Sequence, residues 1–257
     1  MMKDPRPAAL EIHDLVVTYH RKPVLHGVDL TLAPGTLVGI MGPNGAGKST
    51  LIKAVMGLLP VQHGWVSVFG KPAKQSLRRV GYVPQRESVD WDFPVNALDV
   101  VLMGRYGKLG LWRRPGKADR DIARRCLAKV GMEAYADRQI GALSGGQQQR
   151  VFLARALAQE SDLYLMDEPF AGVDAATEQA IVAVMRDLRA EGRTLVVVHH
   201  DLTSARDYFD TLVLLNLRVV AHGPMASTFT AENLRKAYGG RLNLFSELAD
   251  ERAAMER

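Results

Sequence analysis

Three stretches of the chain are apolar without interruption, and they set its architecture. Leu163-Tyr-Leu-Met166, Leu195-Val-Val-Val198 and Leu212-Val-Leu-Leu215 show no polar alternation, the mark of parallel strands covered on both faces. Thr36-Leu-Val-Gly-Ile-Met41 is a fourth buried strand and runs into a glycine-rich loop. Between strands the period becomes helical. One helix takes Asp174 as N-cap, runs to Arg189 and is closed by Gly192; a shorter one runs from Asp201 to about Phe209. Leu51, Ile52, Val55 and Met56 predict a helix over Ser49–Leu59, stopping before Pro60. Residues 9–35 read as short strands, Leu10–Tyr19 and Val24–Leu32, with Pro34-Gly35 as a turn. They predict an antiparallel edge sheet.

The segment from about Arg86 to Glu160 lacks continuous apolar runs and reads as mostly helical. Val80-Gly-Tyr-Val-Pro84-Gln85 is a strand leaving the core for it, and an Ile122–Val130 helix inside it ends at Gly131. Residues 217–257 are expected to hold one more strand pair and a charged helical tail. The prediction is one domain over residues 1–257. An α/β core with the antiparallel strands covers 9–85 and 161–240, a helical subdomain about 86–160, and a tail 241–257.

The candidate chemistry lies at the strand ends. Gly42-Pro43-Asn44-Gly45-Ala46-Gly47-Lys48-Ser49-Thr50 follows a strand and opens a helix. That context turns a glycine-rich string into a phosphate loop. Gly42, Gly45 and Gly47 let successive backbone N–H groups point at phosphate oxygens; Lys48 supplies charge to the β- and γ-phosphates, and the Ser49 hydroxyl can ligate Mg²⁺. Asp167 and Glu168 end a buried strand, where ligands sit in such sheets. Asp167 is assigned to Mg²⁺ through water and Glu168 to polarising the attacking water. Gln85 is placed to sense the γ-phosphate or Mg²⁺, and His200 to hydrogen-bond the γ-phosphate. Strand alternation sends His199 and His200 to opposite faces, so one of them serves packing. Tyr19 offers an aromatic face for adenine. Asp174 reads as a helix N-cap that also contacts a partner chain. Leu143-Ser144-Gly145-Gly146-Gln147 opens another helix and offers a second anion site. Two such sites, each too open to bury a nucleotide alone, suggest that two chains close over ATP.

Composition narrows the picture. Of 257 residues, 47% are hydrophobic and 24% charged, ordinary values for a globular chain. The single cysteine, Cys126, lies on a helical apolar stripe, which reads as packing and fits a reducing compartment. No apolar run approaches the roughly 18 residues that span a bilayer, and residues 1–7 lack a signal peptide's apolar stretch; a cytosolic protein is expected. The net charge of +5 is densest at Arg113, Arg114, Lys117, Arg120, Arg124 and Arg125. That stretch reads as a solvated helix face and loop, and nucleic-acid motifs with interleaved aromatics are absent, so no nucleic-acid partner is expected.

In this order and spacing, from Tyr19 through the phosphate loop, Gln85, residues 143–147, the acidic pair and Asp174 to His200, the chain resembles the ATP-binding subunit of ATP-binding-cassette transporters from about residue 9 to 240. The resemblance implies an α/β P-loop NTPase core with a mixed sheet, an N-terminal antiparallel β subdomain and an inserted α-helical subdomain. It also implies an ATP hydrolase using ATP and Mg²⁺, and an ATP-driven head-to-tail homodimer. Each ATP would lie between one chain's phosphate loop and the other chain's Ser144, Gly145, Gly146 and Gln147. Pro84–Pro94, Asp99–Gly104, Phe170-Ala-Gly-Val-Asp174 and Val198-His-His-Asp-Leu202 look like importers of manganese, zinc or iron. Such a subunit works at the cytoplasmic face of the membrane on an integral permease, with an extracytoplasmic metal-binding protein acting through it. Residues after Gln85 through about Trp112 would face the permease. A soluble cassette such as an iron–sulfur assembly factor, or an importer of another substrate, is the alternative.

Overall fold

The computed structural model describes residues 7–19, 22–85, 93–110 and 113–239. β1 (Leu10–Tyr19) and β2 (Lys22–Leu32) pair antiparallel. β3 (Leu37–Met41), buried throughout, leads into the glycine loop and α1 (Lys48–Val55). The chain then returns through β4 (His63–Val68), β5 (Lys71–Pro72) and α2 (Ala73–Ser76) to β6 (Val80–Val83). β4 pairs with β1, giving a separate antiparallel sheet in the order β2-β1-β4-β5. Its third and fourth strands carry no expectation from the sequence.

α3 (Ala97–Met103), α4 (Tyr106–Leu109), α5 (Lys117–Lys129) and α6 (Gly145–Ala158) follow, with short 3₁₀ turns at Glu133–Tyr135 and Ile140–Ala142. β7 (Leu163–Asp167), α7 (Ala175–Ala190), β8 (Thr194–Val198), α8 (Leu202–Tyr208) and β9 (Thr211–Asn216) then build the α/β layer. β10 (Arg218–Pro224) folds back antiparallel on β9, before α9 (Met225–Thr228) and α10 (Ala231–Tyr238). The strand pair expected beyond residue 217 is therefore, among the described residues, the single strand β10, which finds its partner in β9. The expected tail, 241–257, lies outside the described residues.

The main sheet runs β10-β9-β3-β8-β7-β6, parallel except for β10. Alternate residues of its strands go to opposite layers. Met41, Tyr164, Met166, Leu195, Val197 and Leu214 join the core shared with α3, α5, α6 and α7. Val38, Ile40, Leu163, Leu165, Val196, Val198 and Val213 join the core shared with α1 and the antiparallel sheet. Both faces are covered, which is why the runs read as uninterruptedly apolar.

Glycines set the helix ends. α1 stops at Val55, short of the expected Leu59, because Gly57 turns left-handed at φ 68°, with Gly57 N donating to Ala54 O and Leu58 N to Lys53 O. α5 ends in the same Schellman geometry at Gly131, and α7 at Gly192. α5 begins five residues before the expected Ile122, because Asp119 accepts from Gly116 N and caps its first turn.

The helical segment is locked by one buried cation. Arg105 donates from Nε to Asp119 Oδ1 at 3.0 Å and from Nη1 to Ala158 O at 2.8 Å and Glu160 Oε2 at 2.7 Å. It ties the start of α5 and the end of α6 to the α3–α4 junction. Arg105→Ala strands the nearly buried Asp119 and should lower unfolding free energy by about 2–3 kcal/mol, read from a urea midpoint. An unchanged midpoint would contradict this clamp.

Candidate functional site

The glycine loop is held from below by backbone. A Cβ on Gly42 would stand 1.9 Å from Leu215 O at the end of β9, so only glycine fits there. Leu217 N donates to Ala46 O at 2.9 Å. Gly47 takes φ 91° as N-cap of α1, with the side chain of Leu25 packed over it. Gly45, at φ 81°, has open space above it. Lys48, buried, donates from Nζ to Gly42 O at 2.8 Å and Pro43 O at 3.0 Å. Burial lowers its pKa, while Glu168 and Asp167 pull it back up.

The acidic pair stands two strands from that loop. Ser49 Oγ donates to Asp167 Oδ1 at 2.9 Å, across 118 residues of sequence. Burial raises the Asp167 carboxyl above its usual value; the Ser49 hydrogen bond opposes this and the neighbouring Glu168 adds to it. Glu168 leaves the strand with φ 51°, a left-handed conformation that costs a residue with a Cβ about 1–3 kcal/mol. Its Oε2 accepts from Gln85 Nε2 at 3.3 Å, which links the second residue after β6 to the first residue after β7. Loop, hydroxyl, two carboxylates and Gln85 thus occupy one edge of the sheet. A hydroxyl and a carboxylate oxygen side by side are the hard oxygen donors that Mg²⁺ takes, with water filling its other positions.

The two histidines lie beyond β8, which ends at Val198, and their ring centroids are 5.8 Å apart, so they differ in burial and not, as expected, by strand alternation. His199 is 2% exposed and lies edge-on to Phe170 with ring centroids 5.2 Å apart. Ser204 Oγ donates to Asp201 Oδ2 at 2.6 Å, which leaves its oxygen to accept from His199 Nε2 at 2.9 Å. His199 is the packing residue. His200 is exposed at the mouth of the same edge. Burial drives His199 down to about 4, against a small opposing pull from Asp201. Burial works against the charge on Asp201, yet hydrogen bonds from Ser204 and Thr203 prevail and hold it at about 2.

Ser144 caps α6 reciprocally with Gln147: Ser144 Oγ accepts from Gln147 N at 3.3 Å and Gln147 Oε1 from Ser144 N at 2.9 Å. Gly145 and Gly146 form the first turn. A Cβ on Gly146 would stand 3.0 Å from Thr177 Oγ1, so the start of α6 abuts the start of α7. Asp174 caps α7, accepting from Thr177 N at 2.7 Å. Thr177, which sequence reasoning passed over, therefore joins the glycine turn to the Asp174 turn. No periodicity signals that contact. The Tyr19 side chain lies outside the described residues. Cys126 is buried, its thiol pushed up to about 11 by that burial.

Residues 25–171 match the ABC transporter family model. The chain belongs to that family. It is an ATP-binding cassette with ATP hydrolase activity. It is 59% identical to the manganese transport system ATP-binding protein MntB of Bacillus subtilis, over 93% of this chain and 95% of that protein. It is 58% identical to the zinc transport system ATP-binding protein TroB of Treponema pallidum, over 91% of this chain and 88% of that one. Among solved structures, the dimeric post-hydrolysis state of the cassette MJ0796 bound to ADP and Pi superposes with a TM-score of 0.75 at 29% identity, over 84% of this chain and 98% of that one.

The cassette's His199 makes a pH prediction. Its folded pKa is below the free value of 6.5, so its contribution is whole above pH 6.5 and is lost as pH falls toward 4. Protons then bind the unfolded chain first, and the loss totals about 3 kcal/mol. His199→Gln should flatten the stability slope across that window in urea titrations. An equal slope in both proteins would contradict it.

Proposed function

We propose that this cassette is the subunit that energises uptake of a transition metal ion (manganese, zinc or iron) through a separate membrane permease. The observation that carries this is identity of 58–59% along almost the whole chain to subunits named for manganese and zinc transport. Those names count against a soluble assembly factor. Among the described residues no helix is long and apolar enough to cross a membrane. The permease would then hold the cassette peripherally at the cytoplasmic face, and an extracytoplasmic metal-binding protein would deliver the cargo to the permease.

The arrangement of the site supports the following residue roles. Backbone N–H groups of Gly42–Gly47 and the N-terminus of α1 receive the phosphates, with Pro43, Asn44 and Ala46 shaping the loop and Thr50 completing its exit. Lys48 exchanges its carbonyl partners for β- and γ-phosphate oxygens. Ser49, Gln85 and, through water, Asp167 would hold Mg²⁺, which when bound would offset phosphate charge as a Lewis acid. Glu168 takes the proton of the attacking water, and Gln85, hydrogen-bonded to it, reports the state of that carboxylate to the helical segment. His200 meets the γ-phosphate from the exposed mouth. A second chain's Ser144, Gly145, Gly146 and Gln147 close the site, with Asp174 at the seam and Tyr19 against adenine. Phe93 at 56% exposure and Tyr106 at 52%, with Met103, form the apolar surface offered to the permease. Residues 86–92 and 111–112 of that stretch lie outside the described residues.

Glu168→Gln should keep MgATP binding and lose about a hundredfold or more in turnover. Cells carrying it should lose uptake of one labelled metal among manganese, zinc and iron. Unchanged uptake of all three alongside a dead ATPase would overturn the metal-import reading.

A further inference from the structure

The positive charge of this chain is local. Residues 101–130 hold nine Lys and Arg against two Asp, leaving 24 of the chain's 33 cations and 26 of its 28 acids elsewhere. Three of the nine are neutralised: Arg105 by Asp119 and Glu160, Lys108 by Glu160, and Lys129 by Glu191. The other six, Arg113, Arg114, Lys117, Arg120, Arg124 and Arg125, are exposed and make no ion pair among the described residues. We propose that this surface docks on the anionic lipid headgroups of the bilayer that the permease spans. This rests on the reading of the chain as a membrane-transport subunit.

The arrangement fits a flat charged partner. Lys117, Arg120 and Arg124 recur at helical spacing and make one stripe along α5, and the exposed Arg113 and Arg114 lie a few residues before the helix in the chain. The opposite face of α5 buries Ala123, Cys126 and Leu127 in the core. Within α5, Asp121 is the one exposed acid, against five exposed cations at Lys117, Arg120, Arg124, Arg125 and Lys129. The stripe is also rigidly placed. Asp119, inside the first turn of α5, is held by Arg105 at the α3–α4 junction, next to the exposed Met103 and Tyr106. The cations therefore continue the apolar surface assigned to the permease. That sequence, apolar contact first and cations beyond it, suits a protein seated where a membrane protein meets its leaflet. Single-stranded nucleic acid is favoured less, because no aromatic residue interleaves the cations from Arg113 to Lys129 and stacking platforms are what such ligands use.

Each cation near an anionic leaflet strengthens binding about fivefold, an effect that salt screens. The test is flotation of the purified full-length cassette with two kinds of vesicle. One is phosphatidylcholine alone; the other is equal parts phosphatidylcholine and phosphatidylglycerol. The intact chain should float with the anionic vesicles, be released by salt and ignore the neutral ones. A variant carrying Arg113→Gln, Arg114→Gln, Lys117→Gln, Arg120→Gln and Arg124→Gln should bind them at least about tenfold more weakly, with basal ATP hydrolysis unchanged as the check on folding. Replacing the four arginines by lysine should preserve flotation, since a leaflet reads charge rather than guanidinium geometry. Equal flotation by the glutamine variant, failure of the intact chain to float, or polyuridylate outcompeting the anionic vesicles would each overturn the proposal. The measurement needs no permease and no metal, so its failure is separable from failure of the import reading, which uptake decides.

Discussion

The parallel register of β3, β8 and β7 is the constraint on which the site depends. Ile40, Val198 and Asp167 stand in one row across the three strands. The glycine loop, the His199-His200 turn and the acidic pair consequently leave the sheet along one edge. Parallel pairing cannot be made by a hairpin; each step needs a crossover, and the crossovers put helices over both faces. The same requirement that buries the strands therefore delivers residues distant in sequence to a common line. Ser49 meets Asp167, and Gln85 meets Glu168, without a loop having to wander to achieve it.

Around that edge, the polar groups are held by local devices rather than by long-range charge. Ser144, Asp174 and Asp201 each accept from a backbone N–H of the helix they open, which satisfies donors that a helix start leaves unpaired. The price is rigidity: Glu168 keeps a left-handed backbone and Gly42 admits no side chain. The helical segment is organised differently, by a nearly buried arginine that spans three elements. That clamp ties the α3–α4 junction, the start of α5 and the end of α6 together.

Much of this is legible in the sequence, for physical reasons. Strands covered on both faces must be apolar at every position, so β3, β7, β8 and β9 announced themselves. Glycines that end helices did so at Gly131 and Gly192 where expected. β4 went unread because His63, Gly64 and Trp65 are exposed, and half a strand without an apolar face has no period to detect. Of the strand pair expected after residue 217, the described residues hold only β10, which takes its partner from the preceding segment. At the site, each motif was visible, but its neighbours were not. His199 and His200 fall in the turn after β8, where alternation no longer applies and only burial tells them apart, and the Gly146–Thr177 contact belongs to packing between two helices that no local pattern records.

In the proposed arrangement each hydrolytic site draws on two chains, the phosphate loop from one and the Ser144 turn from the other. Mixing two inactive cassettes, Lys48→Ala and Ser144→Arg, tests it directly. In a shared site, the mixed dimer joins the intact phosphate loop of the Ser144→Arg chain to the intact Ser144 turn of the Lys48→Ala chain. ATP hydrolysis should return on mixing and rise with the mixed-dimer fraction. If both chains stay inactive at every ratio while mixed dimers form, each site lies within one chain and the account is wrong.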